Sequence, residues 1–179
     1  MAIPEEWENA ALACGFTHVW ALDAKKLRFR PEVREMCAAD KCHNYNRSWV
    51  CPPAFGDIEQ GKKRAAAFSR GILVQTVRKL EDSFDIEGID AAARAHAVSF
   101  GRLHTMLRRA YPGLFAMGAG GCTLCESCTW PSKPCRKPEA AVPSMEAWGL
   151  LVSDVCDDCG APYYFGPETM MFAACFLMD

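Results

Sequence analysis

Residues 118–138 read GAGGCTLCESCTWPSKPCRKP, and this stretch sets the expectations for the rest of the chain. Three of its cysteines follow at steps of three residues and a fourth comes after a longer gap: Cys122, Cys125, Cys128 and Cys135. The surrounding residues 118–143, here called the Cys-rich loop, are dense in Gly, Cys and Pro and show little hydrophobic periodicity. A compact domain rarely keeps so long a segment without secondary structure unless something orders it. We therefore predict a long loop that is ordered by a bound group.

The spacing of these cysteines is typical of an iron–sulfur site. A [4Fe–4S] cluster takes four thiolates, and bacterial ferredoxins supply them from C-x₂-C-x₂-C-x₃-C-P runs. The loop keeps the first spacings of that run and departs from it in the longer fourth gap. The sequence therefore predicts a [4Fe–4S] cluster held by the four cysteines. Gly120 and Gly121 would bring backbone N–H groups close to the cluster and Arg136 would offset its negative charge, the alternatives being a flexible hinge and a solvated arginine.

Zinc is the alternative metal for this loop. Structural zinc sites commonly take two C-x₂-C pairs separated by roughly 15–20 residues. Cys125/Cys128 and Cys156/Cys159 form two such pairs, but the spacer between them is longer, and the other two loop cysteines would have no role. We therefore favour the cluster and keep zinc as the alternative.

A second cysteine group occupies residues 37–53, here called the N-terminal Cys segment, and it consists of Cys37, Cys42 and Cys51. Three cysteines in an irregular stretch suggest a second metal centre, either a second [4Fe–4S] cluster or a zinc site. Buried structural thiols are the remaining alternative, since free cysteine is among the most buried residue types. A fourth ligand would come from elsewhere in the chain, and the candidates are Cys14, His43, Cys156, Cys159 and Cys175.

Composition bounds the function classes. The chain has 179 residues, 11 of them cysteine, and a net charge of −2, so no global field attracts it to nucleic acid or to acidic lipid. The start of the chain is acidic and lacks an apolar signal region, and no apolar run is long enough to cross a membrane. We therefore expect a cytoplasmic protein, and in a reducing cytosol dense cysteines are metal ligands or redox groups more often than disulfides.

Hydrophobic patterning predicts an α+β fold in one domain, residues 1–179, with a small sheet of about four strands packed with helices. Strands are predicted at residues 16–22, 72–77, 163–165 and 170–177, the last two as a hairpin and the second buried on both faces. Helices are predicted from Pro31 toward Cys37 and over residues 57–70, 90–111 and 144–149. The predicted strands and helices do not alternate in a clean βαβ pattern, so the pattern does not favour an α/β sheet.

Two helices carry more detailed predictions. Asp57 and Gln60 form a capping box at the start of the 57–70 helix, and Gly71 suits its C′ position. The long helix has an apolar stripe at three- and four-residue steps: Ala93, Ala97, Phe100, Leu103, Leu107 and Ala110. His96 and His104 lie on the same helix without a metal-binding partner, and we interpret both as satisfied or exposed.

At these residues the sequence resembles an uncharacterised prokaryotic family of predicted metal-binding proteins, domain of unknown function 2284. The resemblance rests on three stretches in the family's order, which are Cys37…Cys42-His-Asn-Tyr45…Cys51-Pro-Pro53, Gly121-Cys-Thr-Leu-Cys-Glu-Ser-Cys128 continuing through Cys135-Arg-Lys-Pro-Glu139, and Pro143-Ser-Met-Glu-Ala-Trp-Gly149. It implies metal binding in an iron–sulfur setting and implies no substrate. The pair Cys156/Cys159 is an addition to the family pattern.

The expected function is one-electron transfer or redox support to a partner enzyme, so a redox partner protein is expected and nucleic acid and membranes are not. Two alternatives stay open. The first is an iron–sulfur enzyme in which an open iron site acts on a small molecule, and the second is a zinc-stabilised binding module without redox chemistry. The sequence contains no motif for acid–base or nucleophilic catalysis, so it leaves open whether the chain is an enzyme.

Overall fold

The computed structural model describes residues 2–179 and contains a four-stranded antiparallel sheet in the order β1-β2-β4-β3. The strands are β1 (His18–Asp23), β2 (Arg70–Lys79), β3 (Phe115–Met117) and β4 (Thr169–Leu177). The described helices are α1 (Glu5–Cys14), α2 (Pro31–Ala38), α3 (Ile58–Ala65), α4 (Ile86–Ala110) and α5 (Val152–Cys159), with 3₁₀ turns at Ala24–Lys26 and Glu146–Trp148. The α+β class with a small sheet is confirmed.

Helix starts follow the local sequence signals. Pro31 occupies the first turn of α2, where its missing N–H costs no hydrogen bond. Asp57 caps α3 by accepting a hydrogen bond from the N–H of Gln60 at 2.8 Å, and Asp85 caps α4 through the N–H of Gly88 at 2.8 Å. Each such cap contributes about 1 kcal/mol of helix stability. Capping residues thus fix where these helices begin.

The prediction for the end of α3 is wrong. The helix stops at Ala65, and Gly71 lies inside β2, not at a helix C′ position. In β2 a Cβ on Gly71 would stand 2.2 Å from the carbonyl oxygen of Phe176 on the neighbouring strand. Gly71 is therefore explained by the close approach of two strand backbones, a contact that local sequence does not reveal.

The predicted C-terminal hairpin is also wrong. Residues 163–165 form no strand, and Tyr164 is 70% exposed. β4 pairs instead with β2 along its whole length and with β3 at its end. Because β2 and β3 are far from β4 in the sequence, the hydrophobic alternation and the turn residues near the C-terminus could not identify them as its partners.

The sheet is covered on both faces, as predicted for its central strand. Leu73 of β2 contributes to a core with α5 and the turn that carries Trp148. Its neighbours Ile72 and Val74 contribute to a second core with α1 and α4. Each of these fully buried aliphatic side chains stabilises the fold by about 1.5–3 kcal/mol relative to exposure.

The inward face of α4 differs from the predicted stripe. Leu103 and Leu107 are buried as expected, but Ala97 and Ala110 are exposed. The other inward positions of the helix are taken by Ala92, His96 and Ser99. His96 faces the sheet, where its Nδ1 atom lies 2.9 Å from Oγ1 of Thr76 on β2. The buried face of α4 thus includes a polar contact with the sheet and is not the purely apolar stripe.

The Cys-rich loop leaves and re-enters the fold at one point. No helix or strand occurs between residues 118 and 143. The N–H of Gly118 donates to the carbonyl of Pro143 at 2.9 Å, and the N–H of Met145 donates to the carbonyl of Gly118 at 3.1 Å. The loop therefore leaves the fold directly after the edge strand β3 and returns to it at the same place.

Candidate metal centre

The Cys-rich loop is held together by its own polar side chains. Nη1 of Arg136 donates to the carbonyl of Ser127 at 2.8 Å, and Nζ of Lys137 donates to the carbonyl of Leu124 at 2.8 Å. Oγ1 of Thr129 donates to the carbonyl of Pro134 at 2.9 Å. Arg136, predicted to offset cluster charge, thus binds a backbone carbonyl between two of the cysteines.

The four predicted thiols of this loop converge. One cavity is lined by all of them, Cys122, Cys125, Cys128 and Cys135. Burial raises the pKa of the Cys122 thiol and the N–H of Leu124 lowers it. Negative charge on the other three cysteines raises that pKa further, with Cys135 the largest of the three contributions. The sequence spacing therefore does bring four sulfur donors around one space.

Cys128 is exposed, and it differs from its neighbours because hydrogen-bond donors lower the pKa of its thiol. Burial raises the pKa of the Cys128 thiol, but donors from both cysteine segments outweigh it and the pKa is lowered. These donors are the backbone N–H groups of Trp130, Trp49 and Thr129 and the side chain of Ser48. Donors directed at sulfur stabilise the thiolate, which is the form that binds metals.

Two tryptophans join the two cysteine segments. The indole N–H of Trp49 donates to the carbonyl of Lys133 at 3.1 Å, and the indole N–H of Trp130 donates to the carbonyl of Asn46 at 3.0 Å. The two rings meet edge to face with centroids 4.7 Å apart. Each tryptophan thus inserts its polar end into the other segment, which places the two cysteine groups side by side.

Gly120 and Gly121 have backbone roles that the structure makes explicit. Gly120 has a φ of +63°, in the left-handed region that favours glycine. A Cβ on Gly121 would stand 3.0 Å from Cγ and Nδ2 of Asn44. The second glycine therefore permits the Cys-rich loop to approach the N-terminal Cys segment.

The second cysteine group is also drawn together. Burial raises the pKa of the Cys51 thiol, and the Ser48 side chain lowers it through a hydrogen bond. Negative charge on three other thiols raises it further, namely on Cys42, Cys37 and Cys122. One member of that set, Cys122, belongs to the Cys-rich loop, so the two cysteine groups are neighbours. Sequence reasoning did not predict this adjacency, although a tryptophan near a cysteine in each segment was a possible signal.

Cys37 connects the N-terminal group to the core. Burial raises the pKa of its thiol, followed by the charge of Glu146, while Arg34 lowers it. Sγ of Cys37 lies 3.8 Å from the carbonyl oxygen of Glu146 in the second 3₁₀ turn. The stretch Pro143–Gly149, one of the three that carry the family resemblance, thus lies beside the N-terminal cysteines.

Three further thiols lie between α5 and the sheet. Burial raises the pKa of Cys156 to about 11 and that of Cys159 to about 12, and it raises the pKa of the fully buried Cys175 as well. Their acidic neighbours raise these pKa values as expected, Asp157 for Cys156 and Asp158 for Cys159, but burial is the larger cause. Without a metal these thiols are protonated at neutral pH.

Within residues 2–179 no group of three or more His, Cys, Asp or Glu side chains is already arranged to hold a single metal ion. The donor set itself suits a thiophilic metal, because four cysteines face one cavity and N–H groups are directed at one of their sulfurs. Both [4Fe–4S] clusters and zinc take four thiolates.

Among the helices of residues 2–179, none combines the length and the apolar character that crossing a membrane requires.

Comparison with known proteins identifies the family of the chain. The model of a family described as "Predicted metal-binding protein (DUF2284)" matches residues 21–178, which is most of the chain and includes both cysteine segments. No curated protein and no solved structure matches the chain at a significant level.

Proposed function

Since the chain belongs to the DUF2284 family of predicted metal-binding proteins, we propose that the Cys-rich loop holds a [4Fe–4S] cluster. Its four ligands are the thiolates of Cys122, Cys125, Cys128 and Cys135. The observation that supports this proposal best is that these side chains line a single cavity. The cluster would supply one-electron redox chemistry, and the protein would pass electrons to or from a partner enzyme.

The chain's own groups define how such a cluster would be tuned. N–H groups of Trp130, Trp49 and Thr129 donate toward the sulfur of Cys128 and stabilise its negative charge. Hydrogen bonds to cluster sulfurs and the degree of burial are the main means by which a protein sets a cluster's potential. The Trp49–Trp130 pair holds two of these donors in place.

We also propose a second cluster at the N-terminal Cys segment, with Cys37, Cys42 and Cys51 as ligands. Negative charge on Cys122 reaches the Cys51 thiol, so the two centres would be adjacent. Adjacent clusters would form a short electron path through the protein. The alternative for each centre is zinc, which would make the protein a structural binding module without redox activity.

Anaerobic purification with iron, acid-labile sulfide and zinc analysis tests the proposal, together with EPR of the dithionite-reduced protein. One cluster predicts about four irons and four sulfides per chain and two clusters predict about eight of each. A brown protein with an EPR signal after reduction supports electron transfer. A colourless protein that carries stoichiometric zinc overturns the iron–sulfur proposal.

A further inference from the structure

A second cavity, of about 700 Å³, lies between α4 and the first residues of the Cys-rich loop. Its volume falls within the roughly 300–1,000 Å³ of small-molecule sites. Residues 118–124 form one wall, and His96 and Phe100 belong to the other. Cys122 lines both this cavity and the four-thiol cavity. A molecule bound here would therefore lie beside the candidate metal centre.

The walls suit a ligand with an apolar body. The rings of Phe100 and His104 are stacked with centroids 5.8 Å apart and an interplanar angle of 8°. Phe172 of β4 and Val142 of the Cys-rich loop also line the cavity. Flat ring faces and aliphatic groups favour a hydrocarbon or aromatic group.

A buried hydrogen-bonding group in this cavity has no partner. His96 is 3% exposed, and its Nε2 atom makes no hydrogen bond within the described residues. Within residues 2–179 the hydroxyl of Thr76 has no partner other than Nδ1 of His96. In the tautomer in which the hydroxyl donates to Nδ1, the neutral ring carries its proton on Nε2. Nε2 itself is closed off from solvent, so a ligand must displace the side chains around it to place an acceptor atom at this unpaired N–H.

The opposite wall offers further donors. The backbone N–H groups of Ala119, Gly120 and Gly121 make no hydrogen bond to another backbone group in residues 2–179. Arg94 and Asp90 also lie on the cavity wall, and both are exposed. Several N–H donors beside one cation and one carboxylate favour a singly charged carboxylate over a phosphate dianion.

We propose that this cavity binds a small organic carboxylate, with the apolar body along α4 and the carboxylate accepting hydrogen bonds from His96 and from the Gly120–Gly121 backbone. This binding site goes beyond electron transfer and does not depend on which metal the cysteines hold. It gives the protein a specific small-molecule ligand next to its metal centre.

Isothermal titration calorimetry of the purified, metal-containing protein tests the inference with 4-phenylbutyrate as the probe. We expect a dissociation constant below about 1 mM. The neutral analogue 4-phenylbutanol and inorganic phosphate should each bind at least about tenfold more weakly, because one lacks the charge and the other lacks the apolar body. Absence of 4-phenylbutyrate binding, or equal binding of the alcohol, overturns the proposal.

Variants locate the site. Ala97 is exposed and lines the cavity, so Ala97→Trp should fill it and abolish binding, whereas Ala91→Trp, on the same helix outside the lining, should bind like the wild type. Arg94→Gln should weaken binding about tenfold, and His96→Phe should do so if it folds. Unchanged binding by Ala97→Trp overturns the assignment.

Metal analysis on the same samples separates this inference from the proposed function. Binding of 4-phenylbutyrate to a protein that contains zinc and no iron supports the cavity and refutes the cluster. An iron-loaded protein that fails to bind the probe refutes the cavity and leaves the cluster standing.

Discussion

The indole rings of Trp49 and Trp130 meet edge to face with centroids 4.7 Å apart, and each donates its N–H to a carbonyl in the other's segment. This reciprocal contact joins cysteine segments that lie far apart in the sequence. It also places the backbone N–H groups of both residues at the Cys128 sulfur. The proposed metal centre thus depends on a tertiary contact as well as on the local spacing of its ligands.

Replacing Trp49 by Ala should weaken metal binding while leaving the sheet intact. The substitution removes the ring contact and the hydrogen bond to Lys133 and frees the donors at Cys128 to move. Loss of such a supporting contact typically costs about 10–100-fold in metal affinity. Chelator competition measures the effect. Phe84→Ala, at a side chain that is 88% exposed, is the control and should not change affinity.

The thiol of Cys125 should be needed for iron. Cys125→Ser removes one of the four donors at the cavity, so iron content should fall to zero with one cluster and by about half with two. Colorimetric iron analysis after anaerobic purification checks this outcome. Cys14→Ala is the control, because Cys14 lies in the core formed with α1 and α4 and no other cysteine contributes to the shift in its pKa, which rules it out as the fourth ligand considered above. Iron content unchanged in Cys125→Ser would contradict the ligand assignment.

His96 should make the protein less stable as the pH falls below neutrality. Burial lowers the pKa of His96 from 6.5 to about 4 in the folded chain. Between these values the unfolded chain takes up a proton that the folded chain does not, so acid favours unfolding. The free energy of unfolding should therefore be about 2 kcal/mol lower at pH 5 than at pH 7 from this residue alone.

Urea unfolding of the wild type and of His96→Phe at both pH values isolates the histidine contribution, since the effect of acid on the thiols is common to both proteins. The difference between pH 7 and pH 5 should shrink by about 2 kcal/mol in the variant. An equal pH dependence in the two proteins would show that His96 remains easy to protonate in the folded state.

Gly71→Ala should destabilise the sheet. The added Cβ would stand 2.2 Å from the carbonyl oxygen of Phe176, so β2 and β4 must separate locally. Overpacking of this kind costs about 1–3 kcal/mol. Gly113→Ala is the matched control, because a Cβ there meets nothing within 4 Å. Thermal unfolding should show a lower Tm for the first variant alone, and similar Tm values would contradict the close contact.

The features that could be predicted from the sequence are those that depend on residues close together in the chain. The cysteine spacing of the Cys-rich loop, the N-cap at Asp57 and the buried run around Leu73 each depend on neighbours in the chain, and the structure brings the four loop thiols to one cavity. The proximity of Cys51 to Cys122 could not be predicted, because it follows from a tertiary contact between two irregular segments.

The same reasoning explains the errors. Gly71 looked like a helix terminator because glycine serves both that role and close strand packing, and only the position of Phe176 distinguishes them. His96 was interpreted as satisfied or exposed, yet it is buried and only half satisfied, since one ring nitrogen faces Thr76 and the other has no partner in the described residues.

The hydrogen bonds that link Gly118 to Pro143 and Met145 to Gly118 close the Cys-rich loop at its base. Residues inserted into or deleted from this segment therefore change its reach without shifting the register of β3 against β4. The scaffold and the ligand-bearing insert can diverge independently, and relatives with other cysteine spacings could exchange one inorganic centre for another on an unaltered sheet.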